Sequence, residues 1–281
     1  MAQNYIIKVK DGKKYFLRFT VNQRLQHIIL ASTVIILVLT GMPLKFHGTL
    51  WASYLYEQLG GISLAPIIHR VAAVILLLLG GYHLGYLTYN FYVEEIVPLR
   101  KNGKPGLIAI TKAVLRQPII PNLKDIRDIL DLLKYLFFLT DKKPLGAKYT
   151  WKEKFDYMAP FWGIVMIGSS GIVMWGQDLA TKILPGEIIS FALIVHSDEA
   201  LLAALFLFFW HWYNVHFSTS VFPMGTVFLT GYLTEELMVE EHYEYYVEVM
   251  TKEGFENEIL PPPGVSAPHA PENHEEGSPI S

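Results

Sequence analysis

The stretches HRVAAVILLLLGGYH at 69–83 and HSDEALLAALFLFFWH at 196–211 each begin and end on a histidine within an apolar run. In an α-helix, a separation of 14 residues falls roughly 40° short of four turns, and one of 15 overshoots by roughly 60°. Each histidine pair therefore lies near one helix face, about 21–23 Å apart along the axis. These runs predict two membrane-crossing helices with a histidine near either surface.

Two further apolar runs give four predicted spans, at 26–46, 66–92, 155–175 and 188–217. Each run has the roughly 20 residues needed to cross the hydrocarbon core. The chain of 281 residues is 52% hydrophobic and 17% charged, which is typical of a membrane protein. The interiors of the spans are almost free of charge, and the exceptions adjoin histidines, with Arg70 after His69 and the pair Asp198 and Glu199 after His196. We expect the first run to be a true span because it lacks the cleavage site of an export signal.

Lysine and arginine counts predict the orientation of the spans. Six lie before the first span and thirteen lie between Arg100 and Lys154, whereas the two other connections carry one each, Lys45 and Lys182. Short cytoplasmic loops carry the excess of positive residues. Both termini and the loop at 93–154 are therefore predicted to be cytoplasmic, in a multi-pass protein of a prokaryotic inner membrane.

The segments outside the spans also carry patterns. Residues 126–139 form an apolar run interrupted by charges, which is too short to span and predicts an interfacial helix on the cytoplasmic face. The N-terminal segment 1–24 precedes the four-helix domain 25–217, and an acidic segment follows at 218–281. From Met238 its acidic and aromatic residues suggest a folded flap. After about residue 260 its composition predicts disorder, which makes His269 and His274 bystanders.

Histidine in a membrane helix suits haem binding because neutral imidazole is a good iron ligand and the helix fixes its direction. With alternating spans, His69 and His196 lie near the outer surface, and His83 and His211 near the inner one. His27 starts the first span at that inner depth, so the inner site has more candidates than it needs. The chain has no cysteine, which excludes thiolate-bound clusters and thioether-bound haem. The fold class predicted is an all-α integral membrane bundle of four helices holding b-type haems, with a cytoplasmic amphipathic helix and a partly disordered C-terminal tail.

Several short patterns follow one another in a distinctive order: Arg24-Leu25-Gln26-His27, Thr40-Gly41, His69-Arg70, Lys154, the Gly171 region, His196 and His211-Trp212-Tyr213. In this order, over roughly Arg18 to Tyr246, the chain resembles the prokaryotic, cytochrome b561-like di-haem cytochrome b subunits of membrane-bound formate dehydrogenases and nickel-iron hydrogenases. The resemblance implies that His69 and His196 hold the outer haem, and that His27 and His211 hold the inner one. It also implies that menaquinone or ubiquinone reacts near the inner haem.

Two departures from that family leave alternatives open. The spacing of 15 between His196 and His211 replaces the family's 14, and His83 is not in the family set. The spacings of 14 and 15 look instead like the cytochrome b of quinol–cytochrome c complexes, in which His83 would pair with His211. A third haem would use His83 and His216. Arg24 and Arg70 either neutralise haem propionates or mark the span ends.

The sequence thus predicts the electron-transfer and quinone-reactive subunit of a respiratory complex rather than an enzyme acting alone. Its expected partners are an iron–sulfur protein or a multihaem cytochrome c on the outer face, other subunits of the complex, quinone and membrane lipid. No nucleic-acid partner is expected. Two alternatives belong to other classes: a proton-coupled transporter or channel with a histidine relay, and a haem-free membrane anchor of a complex.

Overall fold

The computed structural model describes residues 6–101, 103 and 106–263, and it is mostly helical. Four helices are long and apolar enough to cross a membrane: Val21–Lys45, Gly61–Lys101, Trp151–Trp175 and Glu187–Phe217. The prediction of four such helices is confirmed. Most of the tail predicted to be disordered, with His269 and His274, lies outside the described residues.

The first two spans belong to the first half of the chain. The elements there are β1 (Ile7–Lys10), β2 (Lys13–Leu17), α1 (Val21–Lys45), α2 (Leu50–Gln58), α3 (Gly61–Phe91), a π turn (Tyr92–Ile96), α4 (Val97–Lys101), α5 (Leu107–Leu115) and α6 (Leu123–Leu136). The first and second spans, α1 and α3, pack against each other. Helix α6 overlaps the predicted interfacial helix.

The second half contains the other two spans and the C-terminal elements. They are α7 (Trp151–Gly163), a π turn (Ile164–Gly168), α8 (Ser169–Trp175), α9 (Gln177–Ile183), α10 (Glu187–Leu205), two π turns (Phe206–His211 and Tyr213–Phe217), α11 (Val227–Thr230), β3 (Tyr232–Thr234), α12 (Glu235–Glu241), α13 (Tyr243–Lys252) and a 3₁₀ turn (Glu256–Glu258). The third span packs on the fourth through α8 and α10, and α10 also contacts α1.

Local sequence fixes where the odd-numbered spans begin. Thr20 caps α1 and Gln23 returns a side-chain hydrogen bond, which completes a capping box. Thr150 and Glu153 form the same arrangement at the start of α7. In each case a threonine followed three residues later by Gln or Glu satisfies backbone amides that the first helical turn leaves unpaired.

Small and polar residues fill the contacts between the spans. Buried residues of the spans include Ala65, Ala72, Ala192, Thr33 and Ser170. Small residues let membrane helices approach closely. Most large apolar residues of the same helices are exposed, as expected for surfaces that face lipid tails.

The two ends of the chain meet in a small domain that we call the cap, formed by β1, β2, β3, α12 and α13. The strands form one antiparallel sheet in the order β1-β2-β3, with Phe16 opposite Leu233. Phe16 is buried against Tyr246, with ring centres 5.6 Å apart. This sheet corrects the all-α prediction, and it joins the N-terminal and C-terminal segments that the sequence analysis treated separately.

Helix α6 is tied to the start of the third span by a buried ion pair. Asp125 and Lys154 approach to 2.9 Å, and both side chains are largely hidden from solvent. On a neighbouring face of α6, Ile126, Leu130 and Leu133 are exposed. An amphipathic helix held at the end of a span in this way has its apolar face available to the membrane interface.

Candidate functional site

The bundle brings His69 and His196 together at the end far from the cap, with ring centres 6.1 Å apart and ring planes inclined by 65°. We call them the distal pair. His69 lies on α3 and His196 on α10. The two residues that sequence analysis assigned to one haem are therefore neighbours across the bundle.

Hydrogen bonds fix the tautomer of both distal histidines. The Nδ1 of His196 lies 2.9 Å from the carbonyl oxygen of Ile167, which can only accept a hydrogen bond. The Nδ1 of His69 lies 2.8 Å from Oγ1 of Thr40, whose hydroxyl donates to the carbonyl of Ile36. With the Thr40 hydroxyl donating to Ile36, both Nδ1 atoms carry hydrogen, which leaves both Nε2 atoms as the lone-pair nitrogens that bind metals.

Two glycines make room for the distal pair. A Cβ atom at Gly41 would lie 3.2 Å from Cε1 of His69, and one at Gly171 would lie 3.0 Å from Cε1 of His196. Both distances are shorter than ordinary carbon–carbon contacts. Gly41 and Gly171 therefore let the histidine rings lie against the helix backbones.

His27 and His211 face each other at the end near the cap, with ring centres 6.3 Å apart. We call them the proximal pair. The Nδ1 of His211 lies 3.1 Å from Oδ2 of Asp156, which again leaves Nε2 as the available nitrogen. His27 packs on the ring of Phe228, 5.9 Å away. Its Nδ1 is buried and has no partner among the described residues.

His83 lies at the same end of the bundle as the proximal pair but contacts other residues. Its Nδ1 is 2.7 Å from Oε1 of Gln26, and its Nε2 is 2.9 Å from the hydroxyl of Tyr157. Both ring nitrogens are thus engaged by side chains. For the fourth ligand position, which the sequence left open between His27 and His83, the geometry favours His27.

His216 packs between the rings of Phe217 and Phe228, at 6.5 and 5.6 Å. Its Nδ1 is buried without a hydrogen-bond partner in the described part of the chain. Since His83 bonds to Gln26 and Tyr157, the pairing of His83 with His216 in a third haem finds no support in these contacts.

The two arginines lie at opposite ends of the bundle. Arg70 stacks over the ring of Trp175, 5.6 Å from its centre, at the distal end. Arg24 donates to the carbonyl of Leu229 at the proximal end, and its Nε is buried without a partner among the described residues. Both lie close to histidine pairs, so their role toward propionates stays a prediction.

The spacing within each histidine pair suits a haem. Two imidazoles on opposite sides of one iron have ring centres about 6 Å apart, because a metal–nitrogen bond is about 2 Å and the nitrogen lies about 1 Å from its ring centre. The separations of 6.1 and 6.3 Å fit. No group of three or more potential metal ligands occurs in the described ranges, but an axially bound haem needs only two.

Unsatisfied buried atoms add to this fit. All such side-chain atoms identified in the described residues lie around the proximal pair, on Arg24, His27, Asp156, Trp210 and His216. A buried polar atom without a partner is costly and therefore uncommon. Their concentration at one place suits a site that receives a further group.

Sequence reasoning missed several residues of these sites. Asp156 and Tyr157 lie inside the predicted third span, and Gln26 lies beside His27 at the start of the first span. A carboxylate inside an apolar span was a usable signal, because such residues are rare in membranes and usually functional. The charged residues after His196 have partners of their own, since Asp198 pairs with Lys45 and Glu199 accepts a hydrogen bond from Trp162.

No protein-family model matches the chain, and no curated protein sequence is significantly similar to it.

Proposed function

We propose that this chain is the membrane cytochrome b subunit of a respiratory oxidoreductase complex. It carries electrons through two b-type haems between a redox partner at the distal end and the quinone pool near the proximal end. The single observation that carries the proposal is the pair of facing histidine rings at each end of the bundle, 6.1 and 6.3 Å apart.

His69 and His196 would hold one haem, and His27 and His211 the other. A bound haem supplies a one-electron carrier. The protein's own contribution is to fix the imidazoles. Thr40, Ile167 and Asp156 accept hydrogen bonds from Nδ1 atoms, which orients the rings and raises the basicity of Nε2.

The redox partner would dock at the distal end. The connections there, at 46–60 and 176–186, are short and contain only the helices α2 and α9. Each exposes large apolar residues, including Leu50, Tyr54 and Ile183. Such loops are too small to carry a catalytic domain, so electrons must be exchanged with an iron–sulfur protein or a multihaem cytochrome c.

The quinone would react near the proximal pair. Lysine and arginine are concentrated at that end, which favours a cytoplasmic location in a prokaryotic inner membrane. Polar side chains there include Asn22 and Tyr82, which hydrogen-bond to each other at an exposed position. Menaquinone or ubiquinone arriving from the lipid would meet these groups at the depth of the proximal pair.

The test is a dithionite-reduced optical spectrum of the purified protein, with haem quantified per chain. We expect two b-type haems in the natural protein and one in His69→Ala and in His211→Ala. His47→Ala is the matched control, since His47 is exposed and bonds only to the carbonyl of Leu44 in its own turn. Two haems should remain in it. A colourless protein would overturn the proposal and favour a transporter or a haem-free anchor.

A further inference from the structure

A chain of hydrogen bonds inside the bundle is not used by the function proposed above. It runs from the hydroxyl of Tyr157 to His83 (2.9 Å), from His83 to Gln26 (2.7 Å), from Gln26 to Asn22 (2.5 Å), and from Asn22 to Tyr82 (2.8 Å). Gln26 is buried, whereas Tyr82 is exposed. The chain therefore connects the interior of the bundle to its surface at the proximal end.

His83 can change its protonation state without losing a hydrogen bond. The carbonyl oxygen of Gln26 only accepts, so Nδ1 of His83 carries hydrogen in both states. The hydroxyl of Tyr157 can donate to Nε2 when the ring is neutral, and it can accept from Nε2–H when the ring is charged. Because neither state leaves an unpaired polar atom, the environment suits a reversible proton acceptor.

The groups that face His83 are neutral. Gln26 and Asn22 come from α1, and Tyr157 and Phe161 come from α7, with the ring of Phe161 5.9 Å from that of His83. On α3 itself, Tyr82 closes the chain. None of these contacting side chains carries a charge, so a change of charge at the proximal pair would act on His83 without a contacting ion that compensates it.

Both neighbours of His83 adjoin the proximal pair. Gln26 precedes His27 in α1, and Tyr157 follows Asp156, whose carboxylate binds His211. An electron arriving between His27 and His211 adds negative charge close to His83. That charge favours the protonated imidazole.

We propose that His83 takes up a proton when an electron reaches the proximal pair. This inference rests on the proposed function. The proton forms an N–H bond at Nε2 of His83, the nitrogen that faces the Tyr157 hydroxyl, while Gln26 and Asn22 hold the ring through Nδ1 and carry no proton. It leaves when the electron passes on. Reduction of one quinone to quinol consumes two electrons from the partner and two protons.

The test is the midpoint potential of each haem, measured against pH by spectroelectrochemical titration of the full-length protein. In the natural protein we expect the potential of the proximal haem to fall with rising pH, at most by about 59 mV for each tenfold change in proton concentration. In His83→Gln that slope should be lost, with both haems retained. Thr88→Val is the matched control, because the Thr88 hydroxyl bonds only to the carbonyl of Leu84 in its own helix.

A second variant and a second measurement guard against misfolding of the first. Gln26→Leu keeps His83 but removes the acceptor for its Nδ1–H, which makes the charged imidazole less favourable. The pH range over which the potential of the proximal haem falls should therefore move to lower pH. A redox-difference infrared spectrum of the natural protein should show an imidazolium band on reduction.

An unchanged slope in His83→Gln with two haems bound would overturn this inference and leave the proposed function standing. If His83→Gln loses haem, an unmoved slope in Gln26→Leu or a missing imidazolium band would overturn it. Absence of haem from the natural protein would overturn both proposals, so the haem count separates the two failures.

Discussion

At the scale of single residues, glycine is needed where a helix backbone meets a distal histidine ring. A Cβ atom at position 171 would lie 3.0 Å from Cε1 and 3.2 Å from Nδ1 of His196. Gly171→Ala should therefore push the ring aside by a few tenths of an ångström. We expect a shifted potential or partial loss of the distal haem, measured by redox titration and haem quantification.

Gly81→Ala is the control for that substitution. Gly81 also lies in a span, but a Cβ there would meet nothing within 4 Å. Alanine is moreover a better helix former than glycine. We expect the Gly81→Ala variant to have the haem content and the potentials of the natural protein. Equal damage in the two variants would show that the close approach at Gly171 has no special role.

His242 gives the cap a pH dependence. Its side chain is buried between the carbonyl of Ala147 and the Glu153 carboxylate, which lies 3.7 Å from Nε2. Burial lowers the pKa of His242 below its usual 6.5, although the carboxylate of Glu153 opposes the shift. Because the unfolded side chain then binds protons more readily, the free energy of unfolding of the cap should fall as the pH drops below about 6.5.

The absence of natural cysteines makes this prediction measurable. A cysteine replacing the buried Met250 should react slowly with a thiol reagent, relative to one replacing the exposed Lys252. The rate at position 250 divided by the rate at position 252 should rise as the pH falls from about 7.5 to about 5.5. In the His242→Gln background the ratio should change less. A ratio independent of pH in the natural background would contradict the assignment to His242.

How much of the site the sequence could predict differs among its residues. His69, His196, His27 and His211 were identified because histidine in an apolar run is unusual. Their partners were not. Thr40 and Asp156 meet a histidine of another helix only when the spans pack together, and Ile167 contributes its backbone carbonyl. Neither kind of contact is visible in the residue pattern of one span.

At the scale of elements, the π turn Phe206–His211 accounts for the unusual spacing in the fourth span. A π turn adds about one residue to an α-helix and is frequent at functional sites. The 15 residues from His196 to His211 then cover about the same rotation as 14 in a regular helix.

This explanation predicts opposite results for a deletion and an insertion of one residue. Deleting the exposed Phe208 should convert the π turn to α-helix and keep two haems. Inserting an alanine after Phe208 adds about 100° of rotation that no regular helix absorbs, so the proximal haem should be lost. Haem quantification in both variants checks this. Retention in the insertion variant together with loss in the deletion variant would refute it.

The elements themselves were predictable to different degrees. The spans follow from hydropathy and length alone. The cap sheet was missed because its strands are short and β3 follows β2 by more than 200 residues. A local signal was present in Asp11-Gly12, where both residues have positive φ and close the hairpin between β1 and β2. The pairing of β2 with β3 has no such signal.

At the scale of the whole molecule, the cap requires strands β2 and β3 to lie on one side of the membrane. Strand β2 precedes the first span and β3 follows the fourth, and the two pair through Tyr15–Thr234 and Leu17–Tyr232. An even number of spans permits this pairing. The excess of lysine and arginine at the cap end predicts that this side faces the cytoplasm.

Single cysteines test this orientation, because the chain has none of its own. A cysteine replacing the exposed Tyr54 should react with a membrane-impermeant maleimide in intact spheroplasts. One replacing Lys252 in the cap should react only after permeabilisation. The reverse pattern would place the proximal pair at the periplasmic surface. Protons exchanged through His83 would then be released or taken up on the opposite side of the membrane, and the coupling of quinone chemistry to the membrane potential would change sign.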